Sequence, residues 1–251
     1  MPPDIPKPLE HEHTPSAIRA RIAATTEHSY LRDFVYGAMD GTVTTFAVVS
    51  GVAGAGLPRG VAIVLGMANL LADGFSMAVG NYLSTKTARN EIEQARRMEA
   101  KHIRSVPDGE REEIREIFVA KGFEPPLLDE IVDVITSDER RWIDTMITDE
   151  LGLPLETPAP LRAAWTTFVS FAAAGMVPLA PFLLVDPTDE SRVFTTSALA
   201  TGVTFLVIGA VQGHLVGRSK LAAAFEVFTI GSCAAALAYG VGAVLQQWAG
   251  V

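Results

Sequence analysis

Between Val193 and Gly213 the chain runs for 21 residues without a charged side chain. A helix of that length crosses a bilayer, which takes about 20 apolar residues. Two further stretches behave alike. Leu161–Val185 carries Arg162 as its single charge, and Leu221–Trp248 carries only Glu226. Such runs cannot all be buried in one water-soluble core of 251 residues, and the mean hydropathy of +0.27 agrees. The expected fold class is therefore an all-α integral membrane protein, built from five transmembrane helices with a cytoplasmic three-helix metal-binding insert.

The first two spans are read from the same signal, with polar interruptions. The first covers about Phe34–Leu57 and contains Asp40 and several threonines. Leu57-Pro58-Arg59-Gly60 then reads as a tight turn. The second covers about Val61–Leu83. No breaker follows it, so helical periodicity is expected to continue through Thr85–Arg104 and carry one long helix out of the membrane. The last three spans are expected at about Leu161–Val185, Val193–His214 and Leu221–Trp248. Pro178 and Pro181 fall inside the third, where a membrane helix tolerates and is often kinked by them.

The middle of the chain has another character. Between Arg89 and Pro160 stand 18 acidic and 10 basic residues, so this segment holds nearly all of the net charge of −9. Clustered acids exclude nucleic acid as a partner, since phosphate binding needs Lys and Arg, and they suit cations. Val106-Pro107-Asp108-Gly109 should end the long helix, with Asp108 or a neighbour capping a helix over Asp108–Lys121 that Gly122 stops. A further helical region, Leu127–Leu151, should break near Ser137 and end at Gly152 and Pro154. The working division is 1–30 for a mobile cytoplasmic tail with a surface helix around Ser16–Tyr30, 31–87 for spans one and two, 88–160 for the acidic domain, and 161–251 for spans three to five. Within the tail, Glu10-His11-Glu12-His13 reads as a solvated stretch with at most a weak accessory metal site. The single Cys233 excludes an intrachain disulfide and a thiolate cluster.

Arg19, Arg21 and Arg32 precede the first span, Lys86, Arg89, Arg96 and Arg97 follow the second, and Arg218 and Lys220 separate the fourth from the fifth. Arg59 and the acidic Asp186–Arg192 loop fall on the other side. The positive-inside rule puts the N-terminus and the insert in the cytoplasm and the C-terminus outside. The absence of a targeting segment and the excess of Arg over Lys fit a bacterial plasma membrane.

Polar residues within spans are candidates for function, because lipid makes them costly. Asp40 and Thr44 share a face of the first span. In the second, Asn69, Asp73 and Met77 recur every four residues, with Asn81 close to the same stripe. Amide, carboxylate and thioether in one file form a stepwise set of cation ligands, or a packing seam around a hydrogen-bonded Asp. Gly37 and Gly41 permit a close helix approach. The insert offers three ligand pairs at helical spacing: Glu99 with His102, Glu110 with Glu113, and Met146 with Glu150. Carboxylate, imidazole and thioether together favour Fe²⁺, with Mn²⁺, Co²⁺ and Zn²⁺ as competitors. Glu99-Ala-Lys-His102 has the Glu-x-x-His form of di-iron bundles, but the chain holds no second copy, which argues against a self-contained ferrous oxidase. A membrane-bound metal sensor is the other alternative.

Taken together, these motifs resemble the vacuolar iron transporter family over about Leu31 to the C-terminus. The likeness rests on Asp40-Gly41, on Ala72-Asp73-Gly74-Phe75-Ser76-Met77-Ala78-Val79-Gly80-Asn81-Tyr82-Leu83-Ser84, on Val106-Pro107-Asp108, on Trp142 with Glu150-Leu151-Gly152-Leu153, and on Val177-Pro178-Leu179. It implies a homodimer of five-span subunits, with a pathway between subunits lined by the first two spans. It also implies export of Fe²⁺, often with Mn²⁺, from the cytoplasm in exchange for protons, with no prosthetic group. By the same resemblance Asp40 and Met77 occupy the membrane metal site, and Glu99, Glu110, Glu113, Met146 and Glu150 occupy the ligand positions of the insert. The chain departs from better-known members at His102, which stands in place of Glu, and at Ile147, where a second Met can occur. It departs again at Asn69 and Asn81, each in place of an acid.

Overall fold

The structure, a computed structural model, describes residues 12–23, 29–185 and 190–249. Among these, all regular structure is helical: α1 Pro15–Ala23, α2 Leu31–Gly54, α3 Arg59–Ser105, α4 Pro107–Ala120, α5 Leu127–Thr136, α6 Glu139–Thr145 with a π-helical turn Met146–Glu150, α7 Pro160–Leu184, α8 Glu190–Leu215 and α9 Lys220–Ala249. The expected spans and breaks fall within a few residues of these limits, including the break at Ser137. The surface helix is described over Pro15–Ala23, and the rest of its expected range, 24–28, lies outside the described residues. Glu10 and His11 of the tail motif lie outside them too, as do residues 186–189 of the acidic loop.

Four helices, α3, α7, α8 and α9, are long and apolar enough to cross a membrane. Five were expected. The remaining candidate, α2, has the length at 24 residues but is interrupted by Arg32, Asp33, Asp40 and three threonines. Its surroundings account for that composition. α2 packs on α3, α7, α8 and α9 together, so most of its surface meets protein rather than the outside of the bundle. The closest approach is to α7. A side chain at Gly41 would run into the Phe171 backbone, and one at Gly175 would meet Leu70 and the Gly41 carbonyl. Small residues on both helices therefore set the distance between them. Val49, Leu70, Phe171 and Leu179 fill the core beside this contact, and Phe46, Phe205, Val227 and Ala235 fill a second one toward α8 and α9. α7 stays helical through Pro178 and Pro181. At its end Arg59 donates from Nε to the Phe182 carbonyl at 2.5 Å and from Nη1 to the Val185 carbonyl at 3.0 Å. That occupies carbonyls a helix C-terminus leaves without partners.

The 47 residues of α3 make a rod about 70 Å long at 1.5 Å per residue, against a hydrocarbon core of about 30 Å. Its second half leaves the bundle and joins α4, α5, α6 and the π turn around a core of their own, made of Ile114, Leu128, Val132, Ile135, Trp142 and Met146. The reversal into α4 differs in one detail from expectation. Asp108 does not cap the helix. Val106, with φ −140°, precedes Pro107 at the first helical position, and no side chain caps the end. Proline suits that place because its missing N–H would find no partner there. Asp108 and Glu110 instead sit in the first turn, where the helix dipole favours acids. Gly122, at φ 89°, ends α4 as expected.

Candidate functional site

The turn at Val106 folds α4 back against the last turns of α3, and this brings distant residues together. Glu99 and His102 come from α3 and Glu110 from α4. One ligand atom from each lies within 4.8 Å of the other two. Glu99 and Glu110 are each 3% exposed, an unusual position for carboxylates. His102 Nδ1 lies 3.5 Å from Glu110 Oε1, while Glu110 Oε2 is enclosed with no protein donor. Glu113 and Glu150 stand on the exposed rim, near enough to act on the buried pair electrostatically. Met146 is placed differently from its predicted partner Glu150. It is fully buried in the insert core beside Ile114 and Trp142. The segment between them is π-helical, with Leu151 N–H bonded to the Met146 carbonyl at 3.1 Å.

The electrostatics of the cluster favour a proton or a cation. Burial pushes the Glu110 carboxyl up to about 7, with Glu113, Glu99 and Glu150 adding repulsion and His102 opposing it. Glu99 is raised by burial above all; His102 opposes, Glu113 adds to the rise, and a hydrogen bond with Glu110 opposes again. Glu150 is raised by desolvation, then by Glu113 and Glu99, against His102. The nearby bases do not relieve this. Arg96 pairs with Asp144 at 2.6 Å, Lys121 with Asp149 at 2.7 Å, Arg104 with Glu139 at 2.9 Å, and Arg111 with Asp133. Among the described residues, none of the four glutamates has a Lys or Arg partner. Two buried carboxylates, an imidazole and two more acids at the rim thus form a negative pocket of mixed oxygen and nitrogen donors. That chemistry fits a divalent transition metal.

The membrane candidates lie where α2 and α3 run side by side, and two hydrogen bonds join them. Asn69 Nδ2 donates to Thr44 Oγ1 at 3.2 Å, and Thr44 in turn donates to the Asp40 carbonyl at 2.8 Å. Asp40 and Asp73 are close enough for their charges to interact. Asn81 Nδ2 donates to Asp33 Oδ1 at 2.9 Å and to Thr167 Oγ1 of α7 at 2.8 Å, while its own Oδ1 accepts from Thr85 at 3.3 Å. Met77 is half-buried against the Phe171 core. Asp73 is exposed on a strip of α3 that it shares with Ser76 and Gly80. Asp33 was absent from the residues singled out by sequence. As an acid in the first turn of a helix it has an ordinary explanation there, and only the fold shows it turned inward.

Residues 31–243 match the model of the VIT family. The chain is 32% identical to vacuolar iron transporter 2 of Oryza sativa subsp. japonica, covering 88% of this chain and 90% of that one. It is 31% identical to vacuolar iron transporter 1 of Arabidopsis thaliana over 88% of each. It is 30% identical to the vacuolar iron transporter of Toxoplasma gondii over 88% of this chain and 76% of that one. These relatives are named as transporters and not as enzymes, which sets aside the oxidase alternative. With the triad and the polar seam in place along the matched region, the chain belongs to the VIT family.

Proposed function

We propose that this protein exports Fe²⁺, and Mn²⁺ beside it, from the cytoplasm as a homodimer, exchanging metal for protons. The observation that carries the reading is the Glu99–His102–Glu110 triad, whose two carboxylates are buried with no Lys or Arg partner. The insert gathers the ion there, with Glu113, Glu150 and Met146 as further ligands. The ion then passes to Asp40, Asp73 and Met77, with Thr44, Asn69 and Asn81 lining the way. Zn²⁺ and Co²⁺ compete for the nitrogen-containing site. A carboxylate that binds either metal or proton supplies the exchange.

Two features support the assembly. α2 acts as the fifth span, enclosed by the other four and so relieved of the need for an apolar surface. Asp73 lies on an exposed strip of α3 with Ser76 and Gly80 on one subunit, and a carboxylate facing lipid is costly. A second subunit covering that strip removes the cost and encloses the path. The charge distribution supports a cytoplasmic N-terminus and insert, and the arginine excess a bacterial plasma membrane, although the relatives are named for the vacuole.

The test is metal flux into sealed proteoliposomes, with Fe²⁺ kept anaerobic, Mn²⁺ measured in parallel and internal pH recorded. Metal movement with opposite proton movement is expected, and both should vanish in Asp40→Ala. Flux of wild-type size in that variant, or flux without proton movement, would refute the pathway or the exchange respectively.

A further inference from the structure

The seam between α2 and α3 has a member the proposed pathway has not used. Asp33 Oδ1 is held by the Asn81 amide from α3, and that amide is held in turn by Thr167 of α7 and by Thr85. Asp33 Oδ2 is enclosed and meets no protein donor. An acid that merely favours a helix N-terminus remains in water or turns back to cap its own amides. This one reaches a residue 48 positions away and leaves an oxygen buried without a partner, which is costly for a polar group and more so for a charged one. A helix end is thus an incomplete account of it.

Its position supplies the rest. Asp33, Gly37 and Asp40 follow one face of α2, with Asp33 about 10 Å before Asp40 along the axis at 1.5 Å per residue. Asn81 stands about 27 Å along α3 from Glu99 by the same rise. Asp33 therefore lies at the insert-facing mouth of the seam, between the triad and Asp40. The amide of Asn81 fixes one oxygen and leaves the other buried without a protein donor, as a positioned ligand requires.

We propose that Asp33 is the first ligand a divalent cation meets in the membrane part of the protein, with Asn81 as its positioning residue. The inference rests on the transport reading above. Mn²⁺ flux through the full-length protein in proteoliposomes tests it, with Asp40→Ala as reference. Asp33→Asn keeps an oxygen to accept from Asn81 and removes only the charge. It is expected to raise the half-saturating Mn²⁺ concentration at least tenfold while the maximal rate stays within about twofold, and Asp33→Glu should restore most of the affinity. Asn81→Asp places a second carboxylate at the same point and should lower the half-saturating concentration at least threefold. That result does not depend on Asp33→Asn folding. Unchanged half-saturation in Asp33→Asn, a fall in maximal rate alone, or unchanged or weaker binding in Asn81→Asp would overturn the assignment of Asp33 while leaving Asp40 in place. A wild-type protein that moves no Mn²⁺ would overturn the transport reading and this one together.

Discussion

Glu110 concentrates the chemistry of the insert in one side chain. Its folded pKa is about 7 against an ordinary value of 4.5, so between those values the folded protein holds a proton that the unfolded chain has released. The stability contributed by that group is complete below about 4.5 and is lost as pH rises through about 7. Metal reverses the trend, because it needs the deprotonated carboxylate. Mn²⁺ affinity measured calorimetrically on the full-length protein should fall about tenfold per pH unit below 7, as one proton is displaced, and level off above it. Thermal unfolding without metal should shift the other way over the same range. Glu110→Gln should flatten the steep part of both curves. His102 bears on selectivity. Replacing its imidazole with a carboxylate, His102→Glu, should move preference from Co²⁺ toward Mn²⁺ by about tenfold, or about 1.4 kcal/mol, read by competition binding. At this scale the sequence shows the donor pairs plainly. It does not show which of them meet, because Glu110 reaches Glu99 only through the reversal at Val106, and Met146 is taken up by the apolar core of the insert while Glu150 stays at its rim. Asp33 is hidden by its own ordinariness, as an acid one residue beyond Arg32 at a helix start.

Helices here are positioned by two different means. In the bundle it is the absence of side chains: Gly41 and Gly175 let α2 and α7 touch backbone to backbone. Gly41→Val forces a branched side chain into the Phe171 backbone, which cannot give way, and should cost about 1–3 kcal/mol, seen as a lower melting temperature in detergent. Gly240→Ala on α9 is the control, since a Cβ there meets nothing within 4 Å, and should not lower the melting temperature. In the insert the means is filled volume. Ile114, wholly buried beneath α4, fixes the helix that carries Glu110 and Glu113, and Ile114→Ala should cost about 2–5 kcal/mol and weaken metal binding along with stability. Apolar run length and breakers located these helices to within a few residues. The same signal is weaker for α2 than for the four other candidate helices, because hydropathy assumes contact with lipid and α2 is surrounded by protein.

At the scale of the whole molecule the bundle and the insert have separate cores, and α3 is the continuous element joining them. The sequence makes this legible through something it lacks, a glycine or proline between Asn81 and Val106. A helix without a joint transmits rotation as well as distance. Each residue added between Thr85 and Glu91 should turn the insert by about 100° and raise it by about 1.5 Å. A single inserted alanine should therefore abolish flux in proteoliposomes while metal binding at the triad persists. Seven inserted alanines, which restore the heading to within about 20°, should return most of the flux despite a longer stalk. The insert is thus keyed to the seam in azimuth. Any partner or ligand able to twist the stalk acts on the delivery of the ion without touching a single residue that holds it.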